Sequence, residues 1–213
     1  MKTVLFDLDG TLADTEVLKA EGLSLAMRHF GGTVAPGIYK IVMGQSWEAV
    51  TAKFFNRANI QVPSKEFDPV FREIYTSLIE SLQPNLDTEK LIQTLKSQNY
   101  QLGLVSSAAP WMIDKILARL NFQNVFDAIV GGEDVKNHKP DPEAYLVMLK
   151  KLDADASSTV AFEDSESGFK AAHAAHIKVY GVRHEYNEGH DFSLCTQVFD
   201  RLSEAKTLFP ANK

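Results

Sequence analysis

The sequence predicts an α/β fold: a parallel sheet between helices, with an all-helical segment inserted after the first strand. Three observations carry this. Short, nearly continuous apolar runs recur along the chain, each followed by a helical pattern. Such runs fit strands buried on both faces, and their alternation with helices fits βαβ units with right-handed crossovers. The interval between the first run and the second is far longer than one crossover helix requires. Finally, 213 residues hold one domain, or one domain carrying a smaller insertion.

The elements follow in order. Val4–Phe6 is the first strand and ends near Asp7. Val17 to Phe30 reads as a helix stopped by Gly31-Gly32, and Trp47 to Phe55 as a second helix. Glu66 to Leu82 reads as a third, because Phe67, Val70, Phe71, Ile74, Leu78 and Leu82 fall near helical spacing. These make residues 15–82 a helical cap domain, and they leave residues 1–14 and 83–213 to the core, with the return hinge near Gln83-Pro84-Asn85. The core resumes with helix Thr88–Ser97, strand Leu102–Val105, helix Pro110–Leu120 and strand Ala128–Val130. Strands Val160–Phe162 and Val179–Val182 come next. After them lie a polar loop from Glu185 to Asp191, a last strand near Gln197–Phe199 and a closing helix near Leu202–Leu208.

Apolar residues at 45% and charged residues at 23% are ordinary for a protein with a real core. A net charge of −6 speaks against a nucleic-acid partner, which calls for a basic face. Cys195 is alone, so no intrachain disulfide forms, and it reads as a small packed hydrophobe. The chain enters Thr3–Phe6 with no apolar signal region, and no run approaches the ~18–20 residues of a membrane span. The expectation is a cytoplasmic monomer without a membrane partner.

Four constellations sit at strand ends. The first is Asp7-Leu8-Asp9-Gly10-Thr11. Residues two apart share a face of a strand, so Asp7 and Asp9 can point together from the carboxyl end of the first strand, where open parallel sheets bind ligands. Paired carboxylates repel unless a cation lies between them or one is protonated, and a hard cation such as Mg²⁺ suits oxygen ligands. Gly10 permits a sharp turn, and Thr11 can bond nearby backbone. A Ca²⁺-loop reading fails, since it places Leu5 at the first ligand position. The second is Leu104-Val105-Ser106-Ser107, whose hydroxyls can donate to a phosphate oxygen or cap the next helix. In the third, Lys139-Pro140-Asp141-Pro142, prolines fix the backbone beside a lysine able to offset charge on a phosphoryl group, and Pro142 can start a helix. In the fourth, Phe162-Glu163-Asp164-Ser165, an acidic pair ends a buried strand, Ser165 is placed to cap a helix and Gly168 permits close packing.

These stretches, in this order, resemble the haloacid dehalogenase superfamily, whose core is a Rossmann-like three-layer α/β unit. The spacing resembles its helical-cap subgroup, and within that the phosphatases related to β-phosphoglucomutase and phosphoglycolate phosphatase. The resemblance implies a Mg²⁺-dependent phosphatase of small phosphorylated metabolites, sugar phosphates first, working through an aspartyl-phosphate. It implies Asp7 as nucleophile and metal ligand. Asp9 would be the general acid and base, its carbonyl also on the metal. Ser106 and Lys139 would hold phosphoryl oxygens. Asp164 would ligate Mg²⁺, with Glu163 joining directly or through water. Ser107, Thr15, Lys19, Gly44 and Gln45 are the candidate substrate-binding residues.

Asp9 separates this chain from dehalogenases and phosphonatases of the same fold, which lack the second aspartate. The alternative is a β-phosphoglucomutase-like isomerase. Aligned on Gly44, the stretch Met43-Gly44-Gln45-Ser46-Trp47 lacks both basic residues of the mutase cap, and the mutase cap histidine falls at Lys19. A binding protein without catalysis is a further class, and no motif supports it. His173 and His176 read as surface or capping residues, and His138 as a loop residue able to approach the site.

Overall fold

The computed structural model describes residues 2–210. Six parallel strands form one sheet: β1 (Thr3–Phe6), β2 (Gln101–Val105), β3 (Ala128–Val130), β4 (Thr159–Glu163), β5 (Lys178–Val182) and β6 (Gln197–Phe199). Their order is β3-β2-β1-β4-β5-β6, so β1 is central and the order reverses between β1 and β4. Residues Thr3 to Phe6 pair with Gln101 to Leu104 on one side and with Thr159 to Phe162 on the other. That register sets the ends of β1, β2 and β4 level.

Strand alternation divides the core between two faces. Val4, Phe6, Leu102, Leu104 and Phe162 pack into one cluster with α4 (Leu86–Ser97), α5 (Pro110–Arg119) and the closing segment. Leu5, Val105, Ala161 and Val179 pack into the other, with α6 (Glu143–Leu152) and α7 (Glu166–Ala174). Helices thus lie on both faces, as the apolar runs required. Ser165 caps α7, accepting from the Gly168 N–H at 3.1 Å, and Asn85 caps α4, accepting from Asp87 and Thr88. The closing segment Leu202–Leu208 is a 3₁₀ helix, the tighter form that suits a short stretch.

Between β1 and α4 run α1 (Glu16–His29), a 3₁₀ turn over Pro36–Ile41, α2 (Trp47–Ala58) and α3 (Ser64–Ile79). The 3₁₀ turn had no sequence counterpart. Buried Phe54, Phe67, Phe71 and Tyr75 hold these helices together. Phe67 and Phe71 stack 6.4 Å apart, and Phe71 stacks on Tyr75 at 5.3 Å. Their cluster continues into the sheet core. Trp111 of α5 meets Phe71 and Tyr75 edge-on, tying the insertion to the core.

Candidate active site

The central strand delivers Asp7 to the carboxyl end of the sheet, beside the point where strand order reverses; open α/β sheets bind ligands there. The Asp7 N–H still donates to the Phe162 carbonyl at 2.9 Å, so its backbone is held as if β1 continued. The chain then turns tightly. The Leu8 carbonyl accepts from Leu12 and Ala13, and Gly10 takes a φ of +75°. A side chain at Gly10 would enter the space of the Asp164 carboxylate and the His184 imidazole. Glycine is therefore needed for conformation and for room. Thr11 does not bond the backbone as expected: its hydroxyl is buried without a partner.

Lys139 is the hub of the site. Its ammonium donates to Asp7 Oδ1 at 2.6 Å, to Glu163 Oε1 at 2.5 Å and to the Val105 carbonyl at 3.0 Å. The Tyr145 hydroxyl donates to the same Glu163 oxygen at 2.6 Å. Gly168 presses on that carboxylate so closely that a Cβ would overlap it. Asp7, Glu163 and Asp164 are all buried, and one oxygen of each lies within 4.8 Å of the others. Burial drives the Asp7 carboxyl well above the ordinary range, Lys139 opposes this, and Glu163, Asp164 and Asp9 add to it. Burial likewise raises Asp164, with Glu16 and Glu163 reinforcing. Burial works against the Lys139 charge, but Asp7 and Glu163 outweigh it and raise the ammonium above its usual value. Three crowded carboxylates facing one lysine, all offering oxygen, form a cluster that could bind a hard cation.

Asp9 faces the cap side. Its Oδ1 accepts from the Thr15 hydroxyl at 2.5 Å and its Oδ2 pairs with the Lys19 ammonium at 2.8 Å. Thr15 and Lys19 are four apart at the start of α1 and so share a helix face. Lys19 lines the cavity, as a substrate-binding residue must. Thr15 is wholly buried, and its contact is with Asp9 instead. Ser106 is buried, and its Oγ accepts from the Ala108 N–H at 3.0 Å instead of capping α5, while Ser107 lines the cavity. Gly44 and Gln45 line it from the cap. Gly44 has a φ of +76°, its carbonyl accepts from the Ser167 hydroxyl at 3.0 Å, and a side chain there would overlap Ser165 and Ser167. The cavity enclosed by these elements has a volume of about 550 Å³.

Four participants escaped the sequence reading. His184 Nε2 lies 2.8 Å from Asp164 Oδ2. Burial lowers the imidazole, against Glu16 and Asp14. Asn187 ties the Asp164 carbonyl to that of Val182. Glu16 lines the cavity with a buried oxygen that accepts no hydrogen bond and lies 3.9 Å from the Lys19 ammonium, and Tyr145 props Glu163. His184 follows β5, so applying the strand-end rule once more would have found it. His138 lines the cavity, whereas His173 and His176 are exposed.

A model of the haloacid dehalogenase-like hydrolase family matches residues 4–182. The chain belongs to this family. The hydrolase is 33% identical over 191 residues to a phosphorylated carbohydrates phosphatase of Thermotoga maritima, covering 89% of this chain and 88% of that one. It is 27% identical over 187 residues to a fructose-1-phosphate phosphatase of Escherichia coli, covering 84% and 95%. The fold matches that of CbbY from Rhodobacter sphaeroides, solved in complex with phosphate, with a TM-score of 0.85 at 22% identity over 96% of both chains. No helix among the described residues is long and apolar enough to cross a membrane.

Proposed function

We propose that this hydrolase is a Mg²⁺-dependent phosphatase of small phosphate monoesters, sugar phosphates first, which transfers the phosphoryl group to Asp7 and then to water. The observation that carries the reading is the buried Asp7 carboxylate, held on one oxygen by Lys139 at 2.6 Å and open towards the cavity that Asp9 also lines. The relatives named for phosphorylated carbohydrates and fructose 1-phosphate support the substrate class.

An oxygen of Asp7 attacks phosphorus as the bond to the leaving oxygen breaks, and Asp9 gives that oxygen its proton. Water then attacks phosphorus, Asp9 takes back a proton, and the acyl-phosphate bond returns its electron pair to Asp7. Lys139 and Ser106 offset charge on the phosphoryl oxygens. Asp7, Asp164 and the Asp9 carbonyl would hold Mg²⁺, with Glu163 close behind and already accepting from Lys139, Tyr145 and the Asp164 N–H. The bound ion supplies neutralisation of charge on the transferring group.

The test is phosphate release from a panel of monoesters with Mg²⁺ and with EDTA, following hexose 1-phosphates for conversion to 6-phosphates. Metal-dependent release that Asp7→Asn lowers by ~10³-fold or more is expected, since an amide is a poor nucleophile. Isomerisation without release would replace hydrolysis by the mutase reaction.

A further inference from the structure

Asp164 is fixed by two segments, and the cap rests on both. The first follows it in the chain. Ser165 caps α7, its hydroxyl lies 3.2 Å from that of Ser167, and the Ser167 hydroxyl donates to the Gly44 carbonyl at 3.0 Å. The second is the turn His184–Asn187, which follows β5. The wholly buried Asn187 side chain donates to the carbonyls of Asp164 at 2.9 Å and Val182 at 2.8 Å, and it accepts from the His184 N–H at 2.9 Å. In the same turn the Tyr186 N–H donates to His184 Nδ1 at 3.2 Å. A ring nitrogen that accepts leaves the proton on the other one, so Nε2 donates to Asp164 Oδ2 at 2.8 Å. The turn thus grips Asp164 by its carbonyl and by its carboxylate.

The outer side of this turn faces the cap. The Lys40 ammonium donates to the Glu185 carbonyl at 3.0 Å, lies 3.8 Å from the Glu185 carboxylate and sits 5.1 Å over the Tyr186 ring. Buried Tyr39 packs on the same ring with centres 6.5 Å apart. Lys40 and Gly44 are four residues apart, so one short cap stretch reaches both segments that hold Asp164. Further ties between cap and core go elsewhere: Thr15 and Lys19 to Asp9, and Phe71 and Tyr75 to Trp111.

Resting on the reading of Asp164 as a Mg²⁺ ligand, we infer that the cap stretch Tyr39–Gly44 positions Asp164 through the His184–Asn187 turn, so that seating the cap and binding the metal favour each other. Lys40 is then a positioning residue, acting through the turn and touching neither substrate nor metal. Coupling of this kind is reciprocal. An open cap loosens the grip on Asp164 and weakens the metal. A bound metal orders Asp164 and the turn, and so holds the cap stretch down. The metal-free enzyme closes less readily over a substrate that it cannot process.

Two measurements on the whole protein test this. Mn²⁺ is the probe, because it takes the same oxygen ligands and its paramagnetic resonance signal counts the free ion. Lys40→Met should weaken Mn²⁺ binding about two- to fivefold, the worth of a partly exposed ion pair with side chains 39% and 76% exposed. Lys40→Arg should restore most of that loss, and Lys90→Met, which removes an exposed pair on α4, should cause none. In hydrogen exchange, saturating Mn²⁺ should slow the amides of residues 36–45, and His184→Ala should abolish the slowing even when its site is saturated. Equal Mn²⁺ affinity in Lys40→Met and the wild type, an equal loss in Lys90→Met, or exchange over 36–45 that ignores bound metal would overturn the inference. Mn²⁺ binding that Asp164→Ala leaves intact, or no binding by the wild type, would instead bring down the metal reading on which it rests.

Discussion

Replacing Lys139 by methionine keeps much of the side-chain volume and removes the charge that Asp7 and Glu163 share. The Lys139 side chain is 2% exposed, with Asp7 at 10% and Glu163 at 0%, so solvent screening cannot soften the loss as it does at a surface. Breaking a buried pair from one side typically costs 3–5 kcal/mol, roughly, because the partner charge stays behind. At about 2–4 °C per kcal/mol for a chain of this size, the melting temperature should fall by roughly 6–20 °C. The pH dependence has a definite sign. The raised Lys139 ammonium contributes fully below the ordinary lysine value and is lost only as pH climbs through its raised value, so it stays constant from pH 5 to about 9. A carboxyl raised by burial, as at Asp7, destabilises the fold as pH rises above its ordinary value near 3.8. Without Lys139 that rise is unopposed. The deficit should therefore be largest at neutral pH and shrink towards pH 4–5. Differential scanning calorimetry in EDTA at pH 5 and 7.5 measures both. A shift under about 2 °C at pH 7.5, or a deficit that grows on acidification, would refute the reasoning. So would a Lys139→Met/Glu163→Gln double variant no more stable than the single one.

Three further outcomes are expected. His184→Ala removes the partner of Asp164 Oδ2; with Asp164 on Mg²⁺ as proposed, an outer partner of a metal ligand is typically worth ~10–100-fold in affinity, so the Mg²⁺ concentration for half-maximal phosphate release should rise by that order. Gly168→Ala places a methyl group against Glu163 and should cost about 1–3 kcal/mol, read as a lower melting temperature; an unchanged value would mean the carboxylate yields freely. Gly44→Ala imposes about 1–2 kcal/mol of left-handed strain besides crowding Ser167, so kcat/KM should drop roughly 5–30-fold. Cap-independent activity would leave it unchanged.

The strands were legible because Val4–Phe6 and Leu102–Val105 are buried on both faces, as are Ala161 and Phe162 of the run read as Val160–Phe162, and they leave no polar alternation to confuse the reading. The central acids were legible because they end or follow a strand, and Lys139 because Pro140 and Pro142 follow it, and the sheet brings those positions together. Pairing across long sequence separations was not. Tyr145 meets Glu163 from 18 residues away, and His184 meets Asp164 from 20; nothing local in either segment marks the partner. Thr15 and Lys19 could be put on one helix face from their spacing, but that the face met Asp9 depends on how α1 leaves the Asp9–Ala13 turn. The segment Pro36–Ile41 has no helical period, since 3₁₀ geometry repeats every three residues and the stretch is only six long.

The cap meets the Ser165–Ser167 turn through the carbonyl of Gly44, so its seat there is made of main chain and not of recognition side chains. Gln45, Trp47 and Glu48 follow immediately and look into the cavity. The contact with the core and the cavity lining therefore occupy adjacent but separate positions. Replacing the three lining residues is expected to reshape the cavity and leave the Gly44–Ser167 contact in place, which makes this short stretch the natural place to try retargeting the enzyme.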